Sequence, residues 1–486
     1  MKARKTLDGL VIAAGGAYVL LFLFSATLRL IYPYEVEWNE GVVLDHAIRV
    51  LTGKPIYAAP SLDFAAFVYT PLYYYVTALL MKIGGVGLWS GRLISILATL
   101  LTAGIAGRIV QRETHSNFLA FSGIALYLAF YHITGFFYDI VRMDALALLL
   151  VVISVYAVMY VRQGYLIAAL FAVLAYFTKQ QMIYIVPAIA IGLAFRHKKQ
   201  ALWFSILSIG FILFSTLAFN WTTNGWYRFY TLTIPGIKAA QSFSWITAIE
   251  FSPKWIFGSL GLFTLVILIV MVMRGKKNTQ NNWPILLGAF VMALISSAMS
   301  IGNSGGYQNV FMPLTLMIAI VFPLSIHIIA NTLPEWSGLA RGIILLAFLS
   351  LAYNPLGEKM LFASARQLHA GDEFIAKLKA IPGDVWIPFH GYIGTLAGKP
   401  THVHFMAMND ALVPHDATSQ RFQHEIDSSL AAHCFSAVIL DEEKVYRWDS
   451  VQHYMRSASI FTTPNIFLSR IGEAGTRPDY IYLPSP

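Results

Sequence analysis

The sequence predicts a polytopic α-helical membrane protein that ends in a soluble α/β domain. Three observations carry this. Of 486 residues, 57% are hydrophobic and only 12% charged, with a mean hydropathy of +0.62, against about 25% charged in ordinary soluble chains. Apolar runs near the length of a helical span, about 20 residues, recur through residues 1–354. From residue 355 the runs stop, and 14 of the 25 acidic residues follow in mixed polar sequence.

The first run, from Gly9 to Leu28, follows Lys2, Arg4 and Lys5. It is longer than the apolar core of a secretory signal and lacks a small-x-small cleavage site, so it reads as an uncleaved first helix. Ten more runs lie near 89–110, 117–134, 141–161, 165–177, 180–195, 201–220, 255–273, 283–300, 308–330 and 337–353, giving about eleven spans. The run 165–177 is short and reads as tilted or half-inserted. With the N-terminus in the cytoplasm, Arg108, Arg112, Arg162, "RHKK" from Arg196, "RGKK" from Arg274 and Arg341 all fall on the cytoplasmic side, as the positive-inside rule requires. The net charge of +9 is therefore topological, which argues against a nucleic-acid partner.

The segment 31–88 forms the first outer loop. "YTPLYYYVTALLMKIGG" (69–85) is too short to cross and would invert every later loop, so it reads as a re-entrant or juxtamembrane helix. Tyr73–Tyr75 within it suit an interfacial aromatic belt. "NEGVVLDHAIRVLTGK" (39–54) reads as a second such helix, with Asn39 able to cap it and Glu40 in its first turn. Its apolar face of Val43, Ala47, Val50 and Leu51 could rest on the membrane surface. Residues 355–486 alternate "DEFIAKLKAI" (helix), "DVWIPF" (strand), "GYIGTLAGK" (helix or turn) and "FSAVILD" (strand), as a small α/β domain does. With eleven spans before it, this domain lies outside, in the periplasm of a Gram-negative host. Cys434, the single cysteine, excludes an intrachain disulfide and reads as a buried thiol.

Eight of the eleven acids before residue 355 map to the outer side: Glu35, Glu37, Glu40, Asp45, Asp63, Asp139, Asp144 and Glu250. Acidic residues contribute little to topology, so a negatively lined outer cavity is the simplest cause. Four outer stretches carry candidate chemistry. "EVEWNEG" puts Glu37 and Glu40 three apart, able to share a helix face. "FYDIVRMDALALLL" puts Asp139, Arg142 and Asp144 at the outer end of a helix. "YFTKQQ" holds Lys179 and Gln180 in a tight turn, and "GNSGGYQNVFMPL" leads Tyr307, Gln308 and Asn309 into a helix. Singly, each has a plainer reading: an acid complementing a helix dipole, a lysine snorkelling to headgroups, amides capping backbone. Together they supply carboxylates, cations and amides to one side of the membrane.

A polyprenyl-phosphate sugar suits such a site. Its lipid lies among helices, Lys or Arg neutralises the phosphate leaving group, and a carboxylate takes the proton of an acceptor hydroxyl. The chain has neither GxxxxGK[ST] nor GxGxxG, which leaves nucleotide-dependent transfer without its usual phosphate cradle. The acidic first loop, "YTPLYYY", "GRLISILATL", "RMDALALLL" and "FTKQQ" resemble, in that order, the GT-C fold glycosyltransferases. The nearest branch is the bacterial, membrane-bound, family 39-like one, related to the protein O-mannosyltransferases and to the aminoarabinose transferase that modifies lipid A. The resemblance covers residues 30–200 well and the rest loosely, with "AGKP" near Lys399 similar to that branch's soluble tail.

The resemblance implies a base at Glu40 or Glu37, with Asn39 standing where many members have the Asp of an Asp-Glu pair. It implies a second acid at Asp144 that orients a cation or the acceptor, and phosphate contacts from Lys179 and Arg142. Where some relatives carry a lysine ahead of the "PPLYYW"-like segment, this chain has Val68-Tyr69-Thr70; Tyr69 substitutes for it in part, or Lys179 acts alone. Asp139, Gln180, Tyr307, Gln308 and Asn309 are the candidates for donor or acceptor contacts. The carboxylates could hold Mg²⁺ or Mn²⁺, but the resemblance implies metal-independent transfer, and "HVH" (402–404), which would place two imidazoles on one face of a strand, is too little for a metal site. The expected activity is hexosyl or pentosyl transfer to a glycan, lipid or protein acceptor in the bacterial inner membrane. The alternatives are a transporter or flippase of a lipid-linked glycan, and an O-antigen-type polymerase or ligase using Arg228, Lys238 and Lys254 of the loop 221–254.

Overall fold

A computed structural model describes the chain except for residues 1, 251–263, 265–281, 304, 333–336, 354–363, 442–448, 462, 464–465, 468, 470 and 472–475. Ten of the eleven apolar runs are helices, and the eleventh, 255–273, lies outside the described residues. The helices Lys5–Ile31, Leu88–Thr114, Lys198–Thr222, Trp283–Ile301 and Gln308–Thr332 are long and apolar enough to cross a membrane; Asn117–Ala129, Asp144–Tyr160, Gly164–Thr178, Gln180–Ala194 and Gly338–Ser350 are shorter. In chain order α1 is Lys2–Ile31, α2 Glu40–Leu51, α3 Leu72–Gly84, α4 Leu88–Thr114, α5 Asn117–Ala129, α6 Asp144–Tyr160 and α7 Gly164–Thr178. α4 packs on α5 and α6, and α7 on α6 and on the helix Lys198–Thr222. Small residues make the close approaches: a Cβ on Gly107 of α4 would meet Ile124 of α5 at 2.5 Å.

The first loop departs from its expected surface position. α2 and α3 exist and pack on each other, but α2 does not lie on lipid. Val42, Val43, Leu44 and Ala47 are all buried between the helical bundle and the C-terminal region. Asn39 does not cap α2; its amide donates to Glu37 Oε1 instead, at 3.0 Å. Tyr73 and Tyr74 are buried, the first donating to the Gly91 carbonyl and the second stacked on His46, so only Tyr75 is free to serve an aromatic belt.

The C-terminal region has the expected alternation. A helix at Ala365–Ala380, closed by a Ser364–Gln367 capping box, precedes β1 (Val385–Trp386), and a helix at Gly391–Leu396 follows it. β2 (Ala437–Leu440), β3 (Tyr454–Ser459) and β4 (Tyr480–Pro484) complete a sheet of order β1-β2-β4-β3. β1 pairs parallel to β2; the other pairings are antiparallel. His402 and His404 do not share a strand face. His404 caps the helix Phe405–Leu412, and His402 faces Asp384 at 3.1 Å. Cys434 is exposed, not buried.

Candidate active site

Four of the acids that concentrate on one end of the bundle, Glu37, Glu40, Asp139 and Asp144, each meet a buried Arg or Lys, and the pairs fall into two kinds. The first kind is locked. Glu40, the first residue of α2, accepts from Arg92 Nε at 2.9 Å and Nη2 at 2.7 Å, and from the backbone N–H groups of Val36 and Val141 at 2.8 and 2.9 Å. Arg92 also donates to the carbonyls of Arg29, Tyr32 and Tyr34. Burial pushes the Glu40 carboxyl up, but Arg92 and the backbone donors outweigh it and hold the group below the ordinary carboxylate range. Asp139 likewise accepts from Arg29 and from Tyr131, both at 2.8 Å. These pairs tie the end of α1, the first loop and the segment 130–143 together. That segment needs the help: Gly135 and Phe136 are both left-handed, at φ 72° and 63°, a conformation costing a non-glycine residue about 1–2 kcal/mol. Arg29 stands 5.6 Å from the Phe136 ring centroid and bonds its carbonyl.

The second kind is loosely paired. Glu37 precedes α2 in irregular backbone, so it does not share a helix face with Glu40; its carboxylate turns to Arg142, with Oε2 3.7 Å from Nη1. Burial raises the Glu37 carboxyl to about 7, against the lowering effect of Arg142 and Asn39. Arg142 is buried at the start of α6 between the rings of Phe67, Tyr69 and Phe137, 5.7–5.9 Å from their centroids. Glu37 and Asp144 are the anions nearest its charge. Its Nη2 reaches the Tyr69 hydroxyl at 3.5 Å, while Nε and Nη1 make no hydrogen bond among the described residues.

Beyond Tyr69 stands Lys179, 6.0 Å from that ring and 2.6 Å from Asp144 Oδ1. Lys179 is extended, φ −154°, at the break between α7 and the short 3₁₀ turn Gln180–Tyr184. Asp144 opens α6, where the helix dipole favours an anion. It takes a second bond from Asn309 Nδ2 at 2.9 Å and leaves Oδ2 unbonded. Glu37, Arg142, Tyr69, Lys179, Asp144 and Asn309 thus form one chain of contacts drawn from five separated stretches.

The other expected residues sit differently. Asp139 belongs to the locked pair with Arg29. Gln180 donates to the carbonyls of Val68 and Thr231, fixing the backbone beside Tyr69. Tyr307 packs on Phe137, Gln308 is exposed, and both line the spot where a Cβ on Gly135 would fall. Arg29, Arg92 and His390 are the functional-site residues that sequence reasoning passed over. Arg29 and Arg92 carried a readable signal, because each is a charge at the end of an otherwise apolar span.

Residues 68–221 match the model of the dolichyl-phosphate-mannose-protein mannosyltransferase family. No curated protein matches the sequence significantly. Among solved structures, ArnT from Cupriavidus metallidurans bound to undecaprenyl phosphate superposes at TM-score 0.59 and 10% identity, covering 98% of both chains. Its apo state gives 0.58 and 11%, covering 98% of this chain and 97% of that one. The oligosaccharyltransferase AglB from Archaeoglobus fulgidus, in complex with an inhibitory peptide and a dolichol-phosphate, gives 0.52 and 9%, covering 96% of this chain and 74% of its own.

The chain has the GT-C fold. The family match within this GT-C chain spans Tyr69, Arg92, Arg142, Asp144 and Lys179 but leaves out Glu37, Glu40 and Asn309. The acid-bearing loop and the Gly-rich turn join the matched residues through tertiary contact alone.

Proposed function

We propose that the protein transfers a sugar from a polyprenyl-phosphate donor to an acceptor hydroxyl, with Glu37 as the base. The observation that carries this is the Glu37–Arg142 pair. A carboxyl poised near neutrality stands 3.7 Å from a buried guanidinium with unbonded donors. Glu40 has no such freedom, because its lone pairs are occupied by Arg92 and backbone N–H groups. In the transfer, the acceptor oxygen forms its bond to the anomeric carbon as the bond to the phosphate oxygen breaks. The hydroxyl proton passes to Glu37, and the negative charge leaves with the lipid phosphate, met by Arg142 and Lys179. Asp144 holds Lys179 in place, and Asn309 holds Asp144.

The match to mannosyltransferases and the likeness to proteins bound to undecaprenyl or dolichol phosphate support a lipid-phosphate donor. The proposed setting is the bacterial inner membrane, with residues 1–354 as the catalytic module, its N-terminus cytoplasmic, and residues 355–486 as an extracytoplasmic domain. The test is sugar transfer or release from a panel of undecaprenyl- and decaprenyl-phosphate hexoses and pentoses by purified protein in detergent. One donor should turn over and lose turnover in Glu37→Gln. Absence of turnover across the panel, or an active Glu37→Gln enzyme, rejects the reading.

A further inference from the structure

The irregular stretch that carries Glu37 is gripped residue by residue by the C-terminal region. The Tyr34 hydroxyl donates to Asp372 at 2.6 Å. Glu35 Oε2 meets His390 Nδ1 at 2.5 Å. The Val36 carbonyl accepts from the Ile471 N–H at 3.0 Å, and Glu37 itself pairs with Ile471 in a parallel bridge. The Trp38 ring stacks on Phe389 at 5.3 Å and lies 5.8 Å from His404. Five successive residues are held by elements more than 300 positions away in sequence, and the Glu37 side chain turns back to Arg142.

His390 is the charged centre of this grip. It is buried just before the helix Gly391–Leu396, and its two ring nitrogens face two carboxylates. Glu35 comes from the first loop, and Asp441, at 3.1 Å from Nε2, comes from the end of β2. Burial lowers the imidazole, but Asp441 and Glu35 raise it further, to about 10. The remaining neighbours do not change its state near neutrality. His404, itself lowered by burial, is neutral, and Asp45 behind Glu35 is pushed up by burial and by Glu35. His390 is therefore a fixed cation that spans two parts of the chain, not a pH switch.

We propose that His390 is a positioning residue: by bridging Glu35 to Asp441 it fixes the backbone from Tyr34 to Trp38 and so aims the Glu37 carboxylate at Arg142. The proposal rests on the assignment of Glu37 as the base. It makes the C-terminal region part of the machinery of transfer, although none of its residues reaches Arg142 or Lys179 among the described contacts. Geometry of this kind matters because displacing a reacting group by about 1 Å can cost on the order of 100-fold in rate.

The experiment compares full-length wild type with His390→Gln, Glu37→Gln and the double variant, using the active donor of the panel above. His390→Gln should lower kcat on the order of 100-fold, leave donor KM little changed, and shift the acid limb of the kcat–pH profile that Glu37 sets. Added to Glu37→Gln, it should cost nothing further, because the group it aims is gone. Glu35→Gln, which keeps the shape but removes the charge that pairs with the His390 imidazolium, gives the same reading should His390→Gln fail to fold. Wild-type kcat in His390→Gln or Glu35→Gln, beside an inactive Glu37→Gln, overturns the positioning role and leaves the base assignment standing. So does a loss that multiplies on top of Glu37→Gln, or one that raises KM with an unmoved pH limb. An active Glu37→Gln enzyme overturns the base assignment and the positioning role with it.

Discussion

Glu40→Gln should destabilise the protein far more than it damages chemistry, and Glu37→Gln should do the reverse. Glu40 is buried at zero exposure with Arg92, and its two oxygens accept two guanidinium and two close backbone bonds. A glutamine keeps one acceptor oxygen but turns an NH₂ towards donors, and it leaves the Arg92 charge uncompensated in the interior. Breaking one side of a buried ion pair costs about 3–5 kcal/mol, which is about two to four orders of magnitude in the folded ratio. That is a large share of a typical stability of about 5–15 kcal/mol. Glu37 pairs with Arg142 only at 3.7 Å, and Asp144 remains as a second anion near that guanidinium. Its loss should therefore be mild for stability and cost about 10²- to 10⁴-fold in kcat. Denaturant titration in mixed micelles, followed by the fluorescence of the 11 tryptophans, measures the first quantity, and donor turnover the second. A stable but inactive Glu40→Gln beside an active Glu37→Gln would overturn both assignments and name Glu40 as the base.

The rate should fall as pH drops below about 7, because Glu37, raised by burial, takes up its proton there and can no longer accept one; a kcat flat from about pH 5 to 8 contradicts this. Lys179→Ala should weaken undecaprenyl phosphate binding by at least about tenfold, the value of one charge-assisted hydrogen bond, and an unchanged Kd by native mass spectrometry removes Lys179 from the phosphate site. Asp139→Asn should cost about 3 kcal/mol of stability through the buried Arg29 while leaving donor KM unchanged; a raised KM without destabilisation would put Asp139 in contact with substrate instead.

Why the acids concentrate in the first outer loop has an answer different from the one their distribution suggests. Five of the eight are spent inside the protein: Glu37, Glu40, Asp139 and Asp144 each neutralise a buried Arg or Lys, and Glu35 meets the His390 imidazolium, while Asp45 and Asp63 line a cavity shared with Arg49, Lys54 and Lys399. An acid next to an apolar run is tolerated because its partner is already inside. The misplaced face of α2 has the same origin. Val43 and Ala47 recur at helical spacing whether lipid or protein covers them, and the covering here is the C-terminal region.

The class, the apolar helices, the α/β tail and the handful of side chains able to do chemistry are legible in the residues alone. Hydropathy, helical period and breaks such as the one at Lys179 are written in neighbouring residues. The tertiary structure alone decided which carboxylate is spent and which is poised, because that depends on partners far along the chain and on desolvation. Glu40 meets Arg92 across 52 positions, Asp139 meets Arg29 across 110, and Glu35 meets His390 across 355. Glu37 and Glu40 are three residues apart and chemically identical, yet burial raises one to about 7 and Arg92 holds the other low. Only the fold places Arg92 on one and leaves Arg142 at arm's length from the other.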